Sequence, residues 1–203
     1  MTADGRFWCH HGAMKAIGLR IKSGFAVAAI VSKNGADCAI EAVRTVALST
    51  EALPQTRFPF HPTIELPEPQ GTTLSDKAVK EVRRTAASEM RKLLQEHTGI
   101  KRAAMVVGSV IDPDSLGNPH VRVHALEGKL FRDVVAAALA EQGIDCGVLV
   151  ERDAYAKVAA AASTHKQRLR TQIAALGQRQ IKPWRSEEKL ATLAAWWQLH
   201  AAK

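Results

Sequence analysis

The stretch Met14-Lys15-Ala16-Ile17-Gly18-Leu19-Arg20-Ile21-Lys22-Ser23-Gly24-Phe25-Ala26-Val27-Ala28-Ala29-Ile30-Val31 decides the fold. It is apolar and β-branched on both sides of Lys22-Ser23-Gly24, which predicts two strands joined by a turn. The Asn34-Gly35 pair that follows favours a tight hairpin turn into a third strand over 37–48. This part of the sequence therefore predicts three consecutive antiparallel strands.

The segments that follow alternate between helices and short buried strands. Five prolines between positions 54 and 69 predict an extended loop, and Ser75 is predicted to cap an amphipathic helix that ends near Gly99. Apolar runs at 102–110 and 146–150 predict two buried strands. Between them, Asn118-Pro119 begins a helix that runs to about Gln142, and further helices are predicted from 153 to about 162 and over 186–200. This order predicts an α/β fold with a mixed sheet, three antiparallel strands followed by parallel ones, and helices on both faces.

The composition fits one globular domain with an excess of positive charge. The 203 residues include 28 Lys and Arg against 20 Asp and Glu, a formal net charge of +8 that favours an anionic partner. We expect an irregular lead-in at 1–13, a core at 14–163, and a basic segment with a C-terminal helix at 164–203 that completes the same domain.

Several classes of protein are not supported by the sequence. No apolar run approaches the roughly 18 residues of a membrane-spanning helix, so no membrane partner is expected. The charged N-terminus lacks the apolar core of a signal peptide, and the three cysteines are widely spaced, which together predict a cytoplasmic protein with free thiols. The sequence contains no nucleophile elbow, Cys-x-x-Cys pair or phosphate loop.

Two short motifs, together with the element order, resemble the ribonuclease H-like superfamily and in particular its RuvC and YqgF groups. Residues 17–24, Ile-Gly-Leu-Arg-Ile-Lys-Ser-Gly, are similar to the first-strand motif Ile-Gly-Ile-Asp-x-Gly-Ser of that superfamily. Residues 184–191, Trp-Arg-Ser-Glu-Glu-Lys-Leu-Ala, are similar to the final helix of RuvC-like nucleases, whose start supplies acidic metal ligands. The resemblance covers about residues 14–200 and implies the ribonuclease H-like fold.

The resemblance also implies a metal-dependent nuclease that uses Mg²⁺ or Mn²⁺ held by carboxylates. Its ligand candidates here are Glu187 and Glu188, although these two glutamates would equally complement the dipole of the last helix. Glu127, on the helix that begins at Pro119, is a further candidate ligand. Arg20 stands where the metal-binding Asp of the family belongs, and a guanidinium there would repel two Mg²⁺ ions. The sequence therefore predicts an altered metal site and leaves open whether the protein is an active phosphodiester hydrolase.

A second candidate site lies on the helix that begins at Pro119. There His120, His124 and Glu127 fall at i, i+4 and i+7 and share one face. They are candidates for proton transfer or for binding a divalent metal. Alternatively, these three side chains brace the preceding loop and have only a structural role.

A third candidate site is cationic. Arg20, Lys22 and Arg122, with the backbone near Ser109, are candidates for an anion pocket that holds phosphate groups. Alternatively, Arg20 forms a structural ion pair with Glu41 or Glu127.

The basic segment that begins at His165 is the clearest charge asymmetry of the chain. Arg168 and Arg170 are candidates for contacts with a phosphate backbone, and Trp184 for stacking on a base. Alternatively, Leu169 and Ile173 indicate an amphipathic helix whose solvated face is cationic. One of the adjacent Trp196 and Trp197 is expected to point away from the core, which makes Trp196 a candidate contact for a homo-oligomer or for another partner.

The sequence thus favours a ribonuclease H-like protein that binds or processes nucleic acid and has an altered metal site. Two alternatives stay open: a non-catalytic structural or interaction protein of the same fold, and a protein that binds a phosphate or nucleotide through Arg20 and Lys22.

Overall fold

A computed structural model describes residues 13–178 and 181–201. Nearly all of the predicted lead-in at 1–13 lies outside these residues. None of the helices within them is long and apolar enough to cross a membrane. The five strands are β1 (Met14–Lys22), β2 (Phe25–Asn34), β3 (Asp37–Ala47), β4 (Ile100–Val107) and β5 (Cys146–Val150). The helices are α1 (Pro62–Glu65), α2 (Gln70–Glu96), α3 (Pro119–Ala140), α4 (Ala154–Ala161), α5 (Lys166–Gly177) and α6 (Ser186–His200).

The strands form one mixed sheet in the order β3-β2-β1-β4-β5. β1 pairs antiparallel with β2, which pairs antiparallel with β3, whereas β4 runs parallel to both β1 and β5. This arrangement confirms the predicted order of three antiparallel strands followed by parallel ones. Its consequence is that β1, β4 and β5 all end at the same edge of the sheet, which we call the carboxyl edge.

Helices cover both faces of the sheet, because the central strand β1 has apolar side chains on both faces and each face must be buried. Ile17 and Leu19 are fully buried on the side of α2 and α3, where they share a core with Met90 and Phe131. On the other side Ala16 packs with residues of α6. The sheet is therefore the middle layer of a three-layer structure, as the apolar runs in the sequence predict.

Helix α6 lies directly against β1 at Gly18. A Cβ atom at this position would lie 1.9 Å from the carbonyl oxygen of Ala191 and 2.4 Å from the amide nitrogen of Ala195. Only a glycine permits so close an approach of two backbones. The glycine of the first-strand motif therefore sets the distance between the sheet and α6.

The proline-rich segment is more helical than the sequence predicts. Instead of an extended loop it contains a 3₁₀ turn at Pro54–Arg57 and the short helix α1, each of which begins with a proline. A proline suits the first position of a helical turn because its φ angle is already fixed and its missing N–H is not needed there. Helix α2 also begins earlier than predicted, at Gln70, so that Ser75 is buried within it and does not cap it.

Another correction concerns the last third of the chain. Helix α6 begins at Ser186, as predicted, with Arg185 as its N-cap. Trp196 does not point to solvent: only 8% of it is exposed, and its ring stacks on His200 with 3.7 Å between centroids. The reason is that α4 and α5 pack on the side of α6 that faces away from the sheet. The expectation of an exposed Trp196 at an oligomer contact was therefore wrong.

The stacked His200 predicts a pH-dependent stability. Burial lowers the pKa of its imidazole, and the nearby Lys33 lowers it further, against the opposing effect of a 2.9 Å hydrogen bond between Nδ1 and the Trp196 carbonyl. The unfolded chain therefore binds a proton at His200 more readily than the folded chain, and the free energy of unfolding should fall as the pH drops below about 6.5. Melting temperatures at pH 7.5 and 5.5 should differ less in His200→Gln than in the wild type. An equal difference in the two proteins would contradict this role of His200.

Candidate functional site

The end of β1 places a buried cation at the carboxyl edge. The side chain of Arg20 is 5% exposed, and its Nη2 forms an ion pair with Glu151, which directly follows β5. Its Nη1 donates hydrogen bonds to the carbonyls of Ile21 at 3.2 Å and Val106 at 3.3 Å. The guanidinium is thus fixed where β1, β4 and β5 end.

The partner of Arg20 differs from both residues that the sequence suggested. Glu41 lies on the outer strand β3 and pairs with Lys15 at 2.9 Å, near the start of β1. Glu127 pairs with histidines. Glu151 reaches Arg20 because parallel strands bring their carboxyl ends to one edge, a relation between distant positions that no local pattern reveals.

The two acidic residues at the start of α6 also form contacts within the protein. A carboxylate oxygen of Glu187 lies 3.9 Å from Nζ of Lys22, and Glu188 accepts a 2.7 Å hydrogen bond from the backbone N–H of Arg185. Glu188 therefore caps the helix. The structure does not bring Glu127, Glu187 and Glu188 together as one ligand set.

These contacts show whether the carboxyl edge could hold the two-metal centre that the resemblance to RuvC-like nucleases implies. Such a centre needs several carboxylates that converge on two divalent ions. Here Glu151 and Glu187 each face a cation, and the Arg20 guanidinium sits between the strand ends. The residues at the carboxyl edge therefore do not fit two bound Mg²⁺ or Mn²⁺ ions.

A pocket of about 220 Å³ opens beside Arg20, and we call it the edge pocket. Lys22 and Ser109 line it, as the sequence analysis proposed for an anion pocket. The side chain of Lys22 is 39% exposed, so its ammonium group faces solvent as well as Glu187. The other lining residues are Arg20, Ile21, Ser23, Val107, Gly108, Gly128 and Phe131.

Arg122 does not line the edge pocket. Its guanidinium forms an ion pair with Asp114, in the short 3₁₀ turn at Pro113–Ser115 that precedes α3. The pair fastens this loop to the first turns of α3, where Asn118 caps the helix as predicted by accepting a 3.1 Å hydrogen bond from the N–H of Val121.

The histidines of α3 form a cluster with a residue that the sequence analysis missed. Nε2 of His124 lies 3.2 Å from Nε2 of His120, as the i, i+4 spacing predicts. His61, just before α1, packs its ring edge-on against both, with centroid distances of 5.6 Å to His120 and 5.0 Å to His124. We call these three residues the histidine cluster.

Glu127 holds the histidine cluster from inside the protein. It is 1% exposed, and its Oε1 lies 2.7 Å from Nδ1 of His61 and accepts a 3.4 Å hydrogen bond from the N–H of Phe60. Its Oε2 lies 3.5 Å from Nδ1 of His124. Glu127, seven residues after His120 on the same face of α3, is thus a buried partner of two imidazoles. The signal for His61 in the sequence was only its place before Pro62 in the proline-rich segment.

The first part of the basic segment folds as α5 and lies apart from the edge pocket. Arg168 and Arg170 are exposed, and Arg170 lies over the ring of Tyr155, whereas Leu169 and Ile173 are fully buried. None of these residues lines the edge pocket. The helix is amphipathic, as the alternative interpretation of the sequence held.

The side chain of Trp184 packs against α5. Its indole N–H donates a 2.8 Å hydrogen bond to the carbonyl of Ala174, and its ring packs on Gly177, where a Cβ atom would come within 2.6 Å. The ring thus holds Trp184 against α5, and it is not among the nucleic-acid contacts proposed below.

Comparisons with known proteins agree with this architecture. No protein-family model matches the sequence, and no curated protein does. Two structures of RuvC from Thermus thermophilus match, each 12% identical and each aligned over 91% of this chain and 92% of RuvC. The TM-score is 0.53 for RuvC alone and 0.57 for RuvC in complex with a Holliday junction substrate. This chain therefore has the ribonuclease H-like fold, in the form found in RuvC.

Proposed function

We propose that this protein binds nucleic acid at the carboxyl edge of its sheet without a two-metal hydrolytic centre there. The observation that carries the proposal is that two cations, Arg20 and Lys22, line the edge pocket, where Arg20 stands in the place of the metal-binding Asp of the first-strand motif. Cations in this place attract phosphate groups and repel divalent ions.

Three further observations support the proposal. The chain carries a net charge of +8, which favours association with a polyanion. The loop after β4 exposes Gly108 and Ser109 beside the pocket. One of the RuvC structures that share this fold holds a Holliday junction substrate. Branched DNA is therefore the first ligand to test, beside duplex and single strands.

The test measures binding of labelled four-way junction, duplex and single-stranded DNA by fluorescence anisotropy between 50 and 200 mM salt. We expect binding to at least one of them, with an affinity that falls steeply with salt. Lys22→Ala should weaken binding roughly fivefold to tenfold and lower the salt slope by about 0.9, the value for one lost phosphate contact.

Lys101→Ala is the matched control, since it removes an equal charge from an exposed lysine near the start of β4, at the opposite edge. Equal effects of the two substitutions would contradict binding at the carboxyl edge. Absence of binding to all three DNAs at 50 mM salt would contradict the proposed function and favour an interaction protein. Because the carboxyl edge lacks a two-metal centre in this proposal, we expect the protein not to cleave these three DNAs in the presence of Mg²⁺ or Mn²⁺.

The edge pocket also favours a second candidate ligand, a small molecule with a phosphate group, because a guanidinium and an ammonium line a cavity of about 220 Å³. In that case nucleotides should raise the melting temperature of the wild type and not of Lys22→Ala. Stabilisation by nucleotides without DNA binding would favour this candidate.

A further inference from the structure

We propose that His61, His120 and His124 form a binding site for one Zn²⁺ ion, with Glu127 as the residue that orients the imidazoles. In the described part of the chain these histidines are the one group of three or more metal-ligating side chains whose ligand atoms lie within 4.8 Å of one another. The site is separate from the edge pocket, and its test does not depend on nucleic-acid binding.

The nitrogen atoms of the histidine cluster are arranged as ligands. Tetrahedral zinc with N–Zn distances of about 2.05 Å holds two ligand nitrogens about 3.3 Å apart. The Nε2 atoms of His120 and His124 are 3.2 Å apart. Since these residues stand one helical turn apart on α3, the helix itself sets this spacing.

Glu127 determines which nitrogen of His61 faces the metal. The Nδ1 of His61 lies 2.7 Å from Oε1 of Glu127. In the neutral tautomer whose Nδ1–H donates to this carboxylate, Nε2 keeps its lone pair for a metal. Carboxylates commonly fix the tautomer and orientation of metal-binding histidines in this way. The Nδ1 of His124 faces the other oxygen of the same carboxylate at 3.5 Å.

The charge of Glu127 provides an independent argument for a cation. The carboxylate is 1% exposed, and its Oε2 has no hydrogen-bond partner. Within residues 13–178 and 181–201, its ion-pair partners are the imidazoles of His61 and His124. A buried carboxylate is costly without positive charge nearby. A divalent ion behind these imidazoles supplies that charge while both rings stay neutral.

The ligand set favours zinc over the ions that nucleases of this fold use. Three imidazole nitrogens suit Zn²⁺, whereas Mg²⁺ and Ca²⁺ prefer oxygen ligands. His120 and His124 are exposed, so the fourth position of a tetrahedral ion would face solvent and take a water molecule. The ion would also fasten the segment before α1 to the first turns of α3.

The test is zinc titration of the full chain after removal of metal with a chelator, followed by competition with a chromogenic zinc indicator. We expect a site for one Zn²⁺ that 1 mM Mg²⁺ does not displace. His120→Gln and His124→Gln should lower the affinity of this site at least about a hundredfold, and Glu127→Gln about tenfold to a hundredfold. Because both histidines are exposed, these two variants should fold, which circular dichroism would check.

Two controls distinguish this site from other zinc binders in the chain. His165→Gln removes an exposed histidine of another element, and a His10→Gln/His11→Gln double variant removes the pair next to Cys9. Both should keep the site. Cobalt in place of zinc should give the strong visible absorption of a tetrahedral ion, which should disappear in His124→Gln. Unchanged zinc affinity in His120→Gln and His124→Gln, or loss of binding only in the His10/His11 variant, would overturn the proposal.

Discussion

Gly18→Ala should destabilise the protein by about 3 kcal/mol or more, a large share of the roughly 5 to 15 kcal/mol by which native proteins are stable. The added methyl group would meet backbone atoms of Ala191 and Ala195 at 1.9 and 2.4 Å. Backbone cannot rotate away as a side chain can, so α6 would have to move off the sheet. Chemical denaturation followed by tryptophan fluorescence measures the loss.

Gly128→Ala is the matched control for this substitution. Gly128 lies within α3, and a Cβ atom there would meet no atom within 4 Å beyond the neighbouring backbone of its own helix. Because alanine favours a helix more than glycine does, this variant should be more stable by about 0.5 to 1 kcal/mol. If Gly18→Ala unfolded at the same denaturant concentration as the wild type, the close packing of α6 on β1 would be refuted.

Glu151→Gln should cost about 2 to 3 kcal/mol, whereas Arg20→Met should change stability by less than about 1 kcal/mol. The first substitution leaves a charged guanidinium buried and without its carboxylate. The second removes the buried charge and leaves Glu151, whose side chain is 43% exposed, in contact with water. The exposure of Glu151 is why the first figure lies below that for a fully buried pair.

Urea denaturation of both single variants and of the double variant measures this asymmetry. The double variant should resemble Arg20→Met, because the cost of losing Glu151 exists only while the guanidinium is present. A larger loss in Arg20→Met than in Glu151→Gln would show that the pair contributes to stability in another way. Since Arg20→Met is expected to fold, its affinity for DNA also tests the edge pocket without a change in fold.

Local patterns were enough to predict most of the fold. Apolar, β-branched runs and turn residues predicted the three antiparallel strands, and Asn118-Pro119 predicted the start of α3 as it is observed. The i, i+4, i+7 spacing also placed His120, His124 and Glu127 on one face. These features depend on residues that are close together in the sequence, within one or two turns of each other. Local sequence patterns are therefore enough to predict them.

The remaining features depend on contacts between distant parts of the chain. His61 lies 59 or more residues before its partners on α3, and 131 residues separate Arg20 from Glu151. The periodicity of apolar residues does not predict such pairs. Arg20 meets Glu151 because of the order of the strands, and His61 meets α3 because of the path of the proline-rich segment. Trp196 was misjudged for a similar reason, since its burial depends on α4 and α5 packing over α6.

The packing of α6 on Gly18 has a consequence for the order in which the chain folds during synthesis. The antiparallel strands β1, β2 and β3 and the helix α2 require only neighbouring residues and can form early on the ribosome. The part of β1 around Gly18 packs directly on α6, so it stays open to solvent until Ser186–His200 have left the exit tunnel. A nascent chain that stalls before this point would expose an apolar sheet face to chaperones and to other chains.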